Sequence, residues 1–143
     1  MPSTHRPSFH VDRSVRLVPV NGLVGVNDPF SRHVLLGGGK TGMDACIWLL
    51  DNGVEPDPIR WIRPRESWLL NREGFQPLEQ VTSSVEGLSH DVEAAAGAES
   101  AEDLFHRLEA CGRMIRIDDQ VVPTMYRCAT VNYAEVAQLR RVV

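Results

Sequence analysis

Arg32-His33-Val34-Leu35-Leu36-Gly37-Gly38-Gly39-Lys40-Thr41-Gly42-Met43 is the stretch that decides the fold. The run from Arg32 through Val34, Leu35 and Leu36, stopped by three glycines, reads as a buried parallel strand. From Thr41 the pattern changes: Met43, Cys46, Ile47 and Leu50 recur at three- and four-residue spacing, one face of a helix. Asn52-Gly53 stops that helix, with Gly53 as a left-handed cap. Past the turn Glu55-Pro56-Asp57-Pro58, the run Ile59-Arg60-Trp61-Ile62 reads as a second strand, ended by Pro64. Strand, glycine turn, helix and strand within about 30 residues make a βαβ unit.

Four segments follow from this centre. Residues 1–31 form a lead-in, in which Val15 to Val20 and Leu23 to Val26 read as short strands around an Asn21-Gly22 turn, closed by Asn27-Asp28-Pro29. Residues 32–76 hold the βαβ unit. Residues 77–112 form a helical insertion. There Leu78, Val81, Val85, Leu88, Val92 and Ala95 lie 3, 4, 3, 4 and 3 residues apart, an amphipathic helix ended by Gly97. Ser100 and Asp103 resemble a capping box for a further helix carrying Leu104, Phe105 and Leu108, closed by Gly112. Residues 113–143 complete part of the same domain. Met114 to Ile117 and Val121-Val122 are strand candidates around Asp118-Asp119, and Asn132 with Glu135 caps a final helix. The expected fold class is α/β: a Rossmann-like βαβ unit with an incomplete parallel sheet and a helical insertion. A doubly wound sheet returns as a strand after such a helix, so the ending at Val143 reads as a cut.

Composition narrows the function classes. The chain has 143 residues and a net charge of −4, which does not fit a non-specific nucleic-acid binder. No apolar run reaches the length of a membrane span, and no apolar stretch follows the N-terminus as in a signal peptide, so a cytoplasmic location is expected. Cys46, Cys111 and Cys128 are far apart and form no zinc pattern; they read as reduced, mostly buried thiols. Acidic residues crowd the helical insertion as a solvated face. Lys40 is the only lysine against fourteen arginines, and it sits inside the glycine run.

Gly37-x-Gly39-x-x-Gly42 fits a dinucleotide fingerprint in its required strand–helix context. Gly37 makes the tight turn, Gly39 lets backbone approach a pyrophosphate, and Gly42 lets the helix pack closely. Free N–H groups at the helix start, with the positive end of its dipole, suit anionic phosphates. Gly38, Lys40 and Thr41 complete the expected site, Thr41 adding a hydroxyl. An ATP-binding loop is excluded by spacing: Gly39-Lys40-Thr41 would need a glycine at position 34, which is Val34. The tip of the second strand selects the coenzyme. An acid there favours NAD, whereas Arg63-Pro64-Arg65 offers guanidinium groups suited to the 2′-phosphate of NADP. NADP(H) is therefore the expected ligand, with NAD as the alternative.

Gly37-Gly38-Gly39-Lys40-Thr41-Gly42-Met43-Asp44-Ala45, followed by Trp61-Ile62-Arg63-Pro64-Arg65, resembles the NAD(P)-binding domain of bacterial FAD/NAD(P)-binding oxidoreductases related to the flavin-containing monooxygenases. Trp68-Leu69-Leu70-Asn71-Arg72 and Pro123-Thr124-Met125-Tyr126-Arg127 look like the same group. The resemblance is firm over roughly residues 33–77 and looser beyond. It implies that NADPH delivers hydride to an FAD held by a separate domain. It also assigns Gly37, Gly39 and Gly42 to the pyrophosphate, and Arg63 and Arg65 to the 2′-phosphate. The sequence departs from the family in three ways. There is no second glycine fingerprint for FAD, no Phe-x-Gly-x-x-x-His motif, and Lys40-Thr41 stands where Asn-Ser is usual. These departures imply a fragment, partnered by NADP(H) and either an FAD-binding domain or a second copy. The alternative is a non-catalytic remnant that binds a nucleotide or a protein. No catalytic acid or base is identified and no metal is expected. Among the remaining candidates, His33 and Asp44 read as structural, Trp48, Trp61 and Trp68 as core, and Tyr126 and Arg127 as pocket residues by position alone.

Overall fold

The computed structural model describes residues 7–27, 30–75 and 81–142. The expected break at Asp28-Pro29 and the apolar position Leu78 fall outside them. Two short 3₁₀ turns, five strands and four α-helices follow in order: Val20–Gly25, β1 (His33–Leu36), α1 (Lys40–Asp51), β2 (Ile59–Ile62), β3 (Trp68–Asn71), Arg72–Gly74, α2 (Val81–Gly97), α3 (Ala101–Ala110), β4 (Met114–Ile115), β5 (Tyr126–Val131) and α4 (Tyr133–Leu139). The fold is mixed α/β. β1 and β2 pair in parallel, His33 opposite Ile59 and Leu36 opposite Ile62, with α1 as the crossover. β3 lies between β5, parallel to it, and β4, antiparallel to it, so the strands form two small sheets.

Helix ends follow their local chemistry. At the end of α1 the N–H of Val54 donates to Leu49 O (3.0 Å) and that of Gly53 to Leu50 O (3.1 Å). This is a Schellman motif, and Gly53 at φ +82° meets its left-handed requirement. α3 ends in the same way, with Gly112 at φ +76° and Arg113 N–H donating to Leu108 O. Ser100 accepts from Asp103 N–H at the start of α3, and Asn132 and Glu135 form a reciprocal capping box on α4.

The core joins both sheets. Met43 and Cys46 of α1, Trp61 of β2, Leu69 of β3, Ile115, Val131 and the α4 residues Val136 and Leu139 form one buried cluster. A second cluster surrounds Trp68, which packs with Ala94, Leu108 and Met114 and stacks on Phe105. Trp61 and Trp68 are thus core residues, with Trp48 packed at the margin.

The structure corrects several expectations. Val15 to Val20 and Leu23 to Val26 are not strands; Val20–Gly25 winds as 3₁₀, with Gly22 N–H donating to Pro19 O. An isolated strand with no ladder partner has nothing to hold it. Val121-Val122 forms no strand either, because the Asp118 side chain accepts from Gln120 N–H and closes a local turn. β1 is buried on one face only. Val34, Leu36 and Ile62 lie exposed, since α1 covers one side and no element among the described residues covers the other. Only Cys46 of the three thiols is buried, and Cys128 is exposed.

The helical insertion holds the largest difference. α2 docks through Gly87 and Ala94, flanking Asp91, and not through the apolar stripe. Asp91 takes a two-pronged pair from the buried Arg113 guanidinium, at 2.8 and 2.7 Å. A Cβ on Gly87 would stand 2.4 Å from Arg113 Nη1, so a side chain there would have to displace the guanidinium that pairs with Asp91. The seam through positions 87, 91 and 94 precedes the stripe through 88, 92 and 95 by one residue, a rotation of about 100°. Fully burying a Val or Leu side chain stabilises by roughly 1.5–3 kcal/mol. The charge-assisted hydrogen bonds of the buried Arg113 guanidinium, about 1.5–3 kcal/mol each, are made on the side of α2 that docks.

At the start of α1 a Cβ on Gly42 would stand 2.3 Å from Gly37 O, a backbone atom that cannot move aside. We predict that Gly42→Ala costs roughly 1–3 kcal/mol, as overpacking does. Gly25→Ala, where nothing lies within 4 Å, should cost almost nothing. Thermal unfolding of the two variants measures the contrast.

Candidate functional site

β1 runs into the glycine turn and α1 leaves it. Gly37 sits at φ +115°, a conformation glycine adopts freely, and its N–H still donates to Ile62 O (2.9 Å) as the last rung of the ladder. Its carbonyl accepts from the indole N–H of Trp61 at 2.9 Å. Gly39 O accepts from the N–H groups of Gly42 and Met43, which closes the first turn of α1. Ahead of that turn the N–H groups of Gly38, Gly39, Lys40 and Thr41 have no hydrogen-bond partner among the described residues, and no side chain caps the helix. Four orphan donors at a helix N-terminus are a ready acceptor site for an anion. Space is available as well. A Cβ on Gly39 would meet only Arg127 Nη1, at 4.0 Å, and the Thr41 side chain is exposed.

The two arginines at the tip of β2 lie beside the turn. A Cβ on Gly38 would lie 3.6 Å from Arg63 Cβ and from Arg65 O. Their chemistry differs. Arg63 is nearly buried, lies 4.7 Å over the Trp61 ring and pairs with Glu66 at 2.7 Å. Burial pushes the Glu66 carboxyl up against the pull of Arg63. The expected pair of open guanidinium groups is therefore one compensated cation, Arg63, and one exposed cation, Arg65.

Lys40 has its own partners. Its Nζ lies 2.7 Å from Asp44 and 3.2 Å from Glu135 of α4. Glu135 also accepts from Arg72 and from Asn132 N–H (2.8 Å). Burial pushes this carboxyl up, but hydrogen bonds from Arg72, Asn132 and Lys40 together outweigh it and hold Glu135 below its ordinary value. Asp44 therefore serves as the ion-pair partner of Lys40. The His33 ring meets Phe30 edge-on, and its buried Nδ1 has no hydrogen-bond partner among the described residues. Burial pushes the Cys46 thiol up to about 12, so it is no nucleophile.

Sequence reasoning gave Arg127 no role beyond its position. β5 pairs it opposite Leu69, Ser67 Oγ accepts from its Nε at 3.1 Å, and its Nη1 reaches the space over Gly39. The parallel β3–β5 pairing supplies this contact, and no local motif announces it. Tyr126, by contrast, is half-exposed and stacks toward Phe105, 6.1 Å away. A cavity of about 380 Å³ between α3, β4 and α4 shares no residue with the glycine turn. Its arginines are already engaged, Arg116 with Glu109 and Arg140 with Ile117 O. Among the described residues no group of His, Cys, Asp and Glu side chains is arranged to hold a metal, and no helix is long and apolar enough to cross a membrane.

The chain is similar to uncharacterized proteins of Mycobacterium bovis and Mycobacterium tuberculosis, 46% identical over 145 residues and covering 99% of this chain. It spans about a quarter of their length, 26%. No family model and no solved structure matches.

The Glu135 network has a pH signature. A carboxyl held below its ordinary value stabilises the fold fully above the ordinary carboxylate range, and that stability is lost as pH falls through the folded value. We predict that Glu135→Gln costs roughly 1–3 kcal/mol at neutral pH. The difference from the parent chain should shrink on acidification. Urea unfolding at neutral and acidic pH measures it.

Proposed function

We propose that the βαβ unit binds NADP(H), as the coenzyme-binding portion of a flavin-dependent oxidoreductase related to the monooxygenases. The observation that carries this reading is the uncapped mouth of α1, where the N–H groups of residues 38–41 lack partners beside the open space over Gly39. Parallel pairing of β1 and β2 around α1, with Gly42 against the Gly37 carbonyl, supports reading it as a Rossmann-like unit. On this reading the backbone amides hold the diphosphate and Arg127 adds a cation above Gly39. Exposed Arg65 does most of the selection for a 2′-phosphate. Arg63 joins it where the phosphate displaces Glu66. NADPH supplies a hydride when bound. The residues of this chain orient it and shield its charge.

The flavin site would lie elsewhere, since this chain carries one glycine fingerprint only. The relatives' greater length leaves room for such a domain. A second reading, a non-catalytic remnant that binds a nucleotide or a protein, draws support from the bare face of Val34, Leu36 and Ile62. NADPH oxidation assayed with FAD on a full-length relative, beside coenzyme binding by this chain, separates the two: flavin-dependent turnover in the relative favours the oxidoreductase, and coenzyme binding without turnover in either favours the remnant.

Titration calorimetry tests the assignment of residues. Arg63→Ala with Arg65→Ala should weaken NADP(H) by roughly 1–3 kcal/mol, the range for charged hydrogen bonds, and leave NAD(H) nearly unchanged. Arg127→Ala should weaken both coenzymes alike, because it faces the shared diphosphate. Equal weakening of both by the double variant would remove the arginines from coenzyme selection.

A further inference from the structure

Arg63 and Glu66 close on each other across the turn Arg63-Pro64-Arg65-Glu66 at the tip of β2. Arg63 Nη1 lies 2.7 Å from one carboxylate oxygen and donates to the other at 2.9 Å. The two side chains are 10% and 13% exposed, so the pair is set into the turn and not spread on a solvated rim. It is also tied to the glycine run. Arg63 lies over the Trp61 ring, the Trp61 indole N–H donates to Gly37 O, and a Cβ on Gly38 would lie 3.6 Å from Arg63 Cβ. A ribose at the strand tip therefore meets a guanidinium whose charge is already taken. Carboxylate and phosphate oxygens make the same charge-assisted bonds to a guanidinium. Glu66 thus holds the bonds that a 2′-phosphate would make.

Giving up Arg63 is costly for Glu66. Among the described residues Arg63 is the cation it pairs with. Burial pushes the carboxyl up, Arg63 pulls it down, and Asp118 from the turn after β4 pushes it up again. Without the guanidinium, Glu66 would be a nearly buried charge beside a second carboxylate, and it would have to take a proton or turn out to water. An incoming NADP(H) bears that cost. NAD(H) carries a hydroxyl in place of the phosphate and leaves the pair closed. We propose that Glu66 is a specificity-determining residue of the coenzyme site, which competes with the 2′-phosphate for Arg63 and so narrows the preference for NADP(H) over NAD(H). The inference rests on the coenzyme reading and adds to it a residue that works against the ligand. Exposed Arg65 sets the preference that remains.

Titration calorimetry of the 143-residue chain with NADPH and with NADH tests it. Glu66→Gln keeps the side-chain shape and a weaker, neutral bond to Arg63. It should bind NADPH roughly tenfold more tightly than the parent, the low end of what one charge-assisted hydrogen bond is worth, and NADH within about twofold. Glu66→Ala, which frees Arg63 entirely, should tighten NADPH at least as much, and thermal unfolding checks that both variants fold. Arg63→Met keeps an unbranched chain over Trp61 without the donors. Adding Glu66→Gln to Arg63→Met should bring no gain, because the gain runs through the guanidinium. A merely structural Glu66 would move both coenzymes together. Three results overturn the proposal alone: a parent that binds NADPH beside folded Glu66 variants that bind it no tighter, equal gains for NADPH and NADH, or a gain that persists in the Arg63→Met background. A parent that binds neither coenzyme removes the coenzyme reading and this inference with it.

Discussion

The Gly37 carbonyl is the point on which the βαβ unit turns. Trp61 of β2 donates its indole N–H to it, and Gly42 of α1 closes on it where any Cβ would collide. One backbone oxygen thus ties the end of the first strand, the second strand and the first turn of the helix. The positive φ of Gly37 aims the oxygen at both. With that contact made, the N–H groups from Gly38 to Thr41 are left facing outward together, and the helix starts without a cap. The same geometry that packs the helix closely keeps its donors free, so structure and proposed function share one cause.

A second tie fixes this corner in the molecule. Glu135 gathers Lys40 from α1, Arg72 from the turn after β3 and its own capping box on α4. The chain's only lysine is therefore a strut between α1 and α4 as much as a member of the glycine run. This links the β1–β2 unit to the three-stranded sheet, whose β5 brings Arg127 over Gly39. The cationic surroundings of the glycine turn come from both sheets.

Legibility in the sequence followed the reach of the interaction. β1, α1, β2, the glycine ends of α1 and α3 and the caps at Ser100 and Asn132 are set by residues within a few positions, and the sequence shows them at the right places. The parts that depended on distant partners did not show. Val15 to Val26 has strand-like residues but no neighbour to pair with. The α2 stripe was read correctly as an amphipathic helix, but its spacing does not tell which side docks, because it cannot register a buried arginine 22 residues away that selects the side bearing Gly87 and Asp91. Arg127 joined the site through the β3–β5 pairing opposite Leu69 and through its bond to Ser67 Oγ, 60 residues earlier in the chain. The arginines at the β2 tip were visible as residues, yet the cancellation of Arg63 by Glu66 and its stacking on Trp61 belong to the folded turn.

Two bare apolar surfaces, the outer face of β1 and β2 and the apolar stripe of α2, accord with a region that makes up 26% of its longer relatives. The central claim remains the one at the mouth of α1, that unpartnered backbone amides receive a diphosphate. An ¹⁵N-labelled sample titrated with inorganic pyrophosphate and then NADPH measures it residue by residue. The amide signals of Gly38, Gly39, Lys40 and Thr41 should move first and farthest with both ligands, while those of α3 stay still. Saturating NADPH that leaves these four amides unmoved, or moves others in their place, would contradict the account.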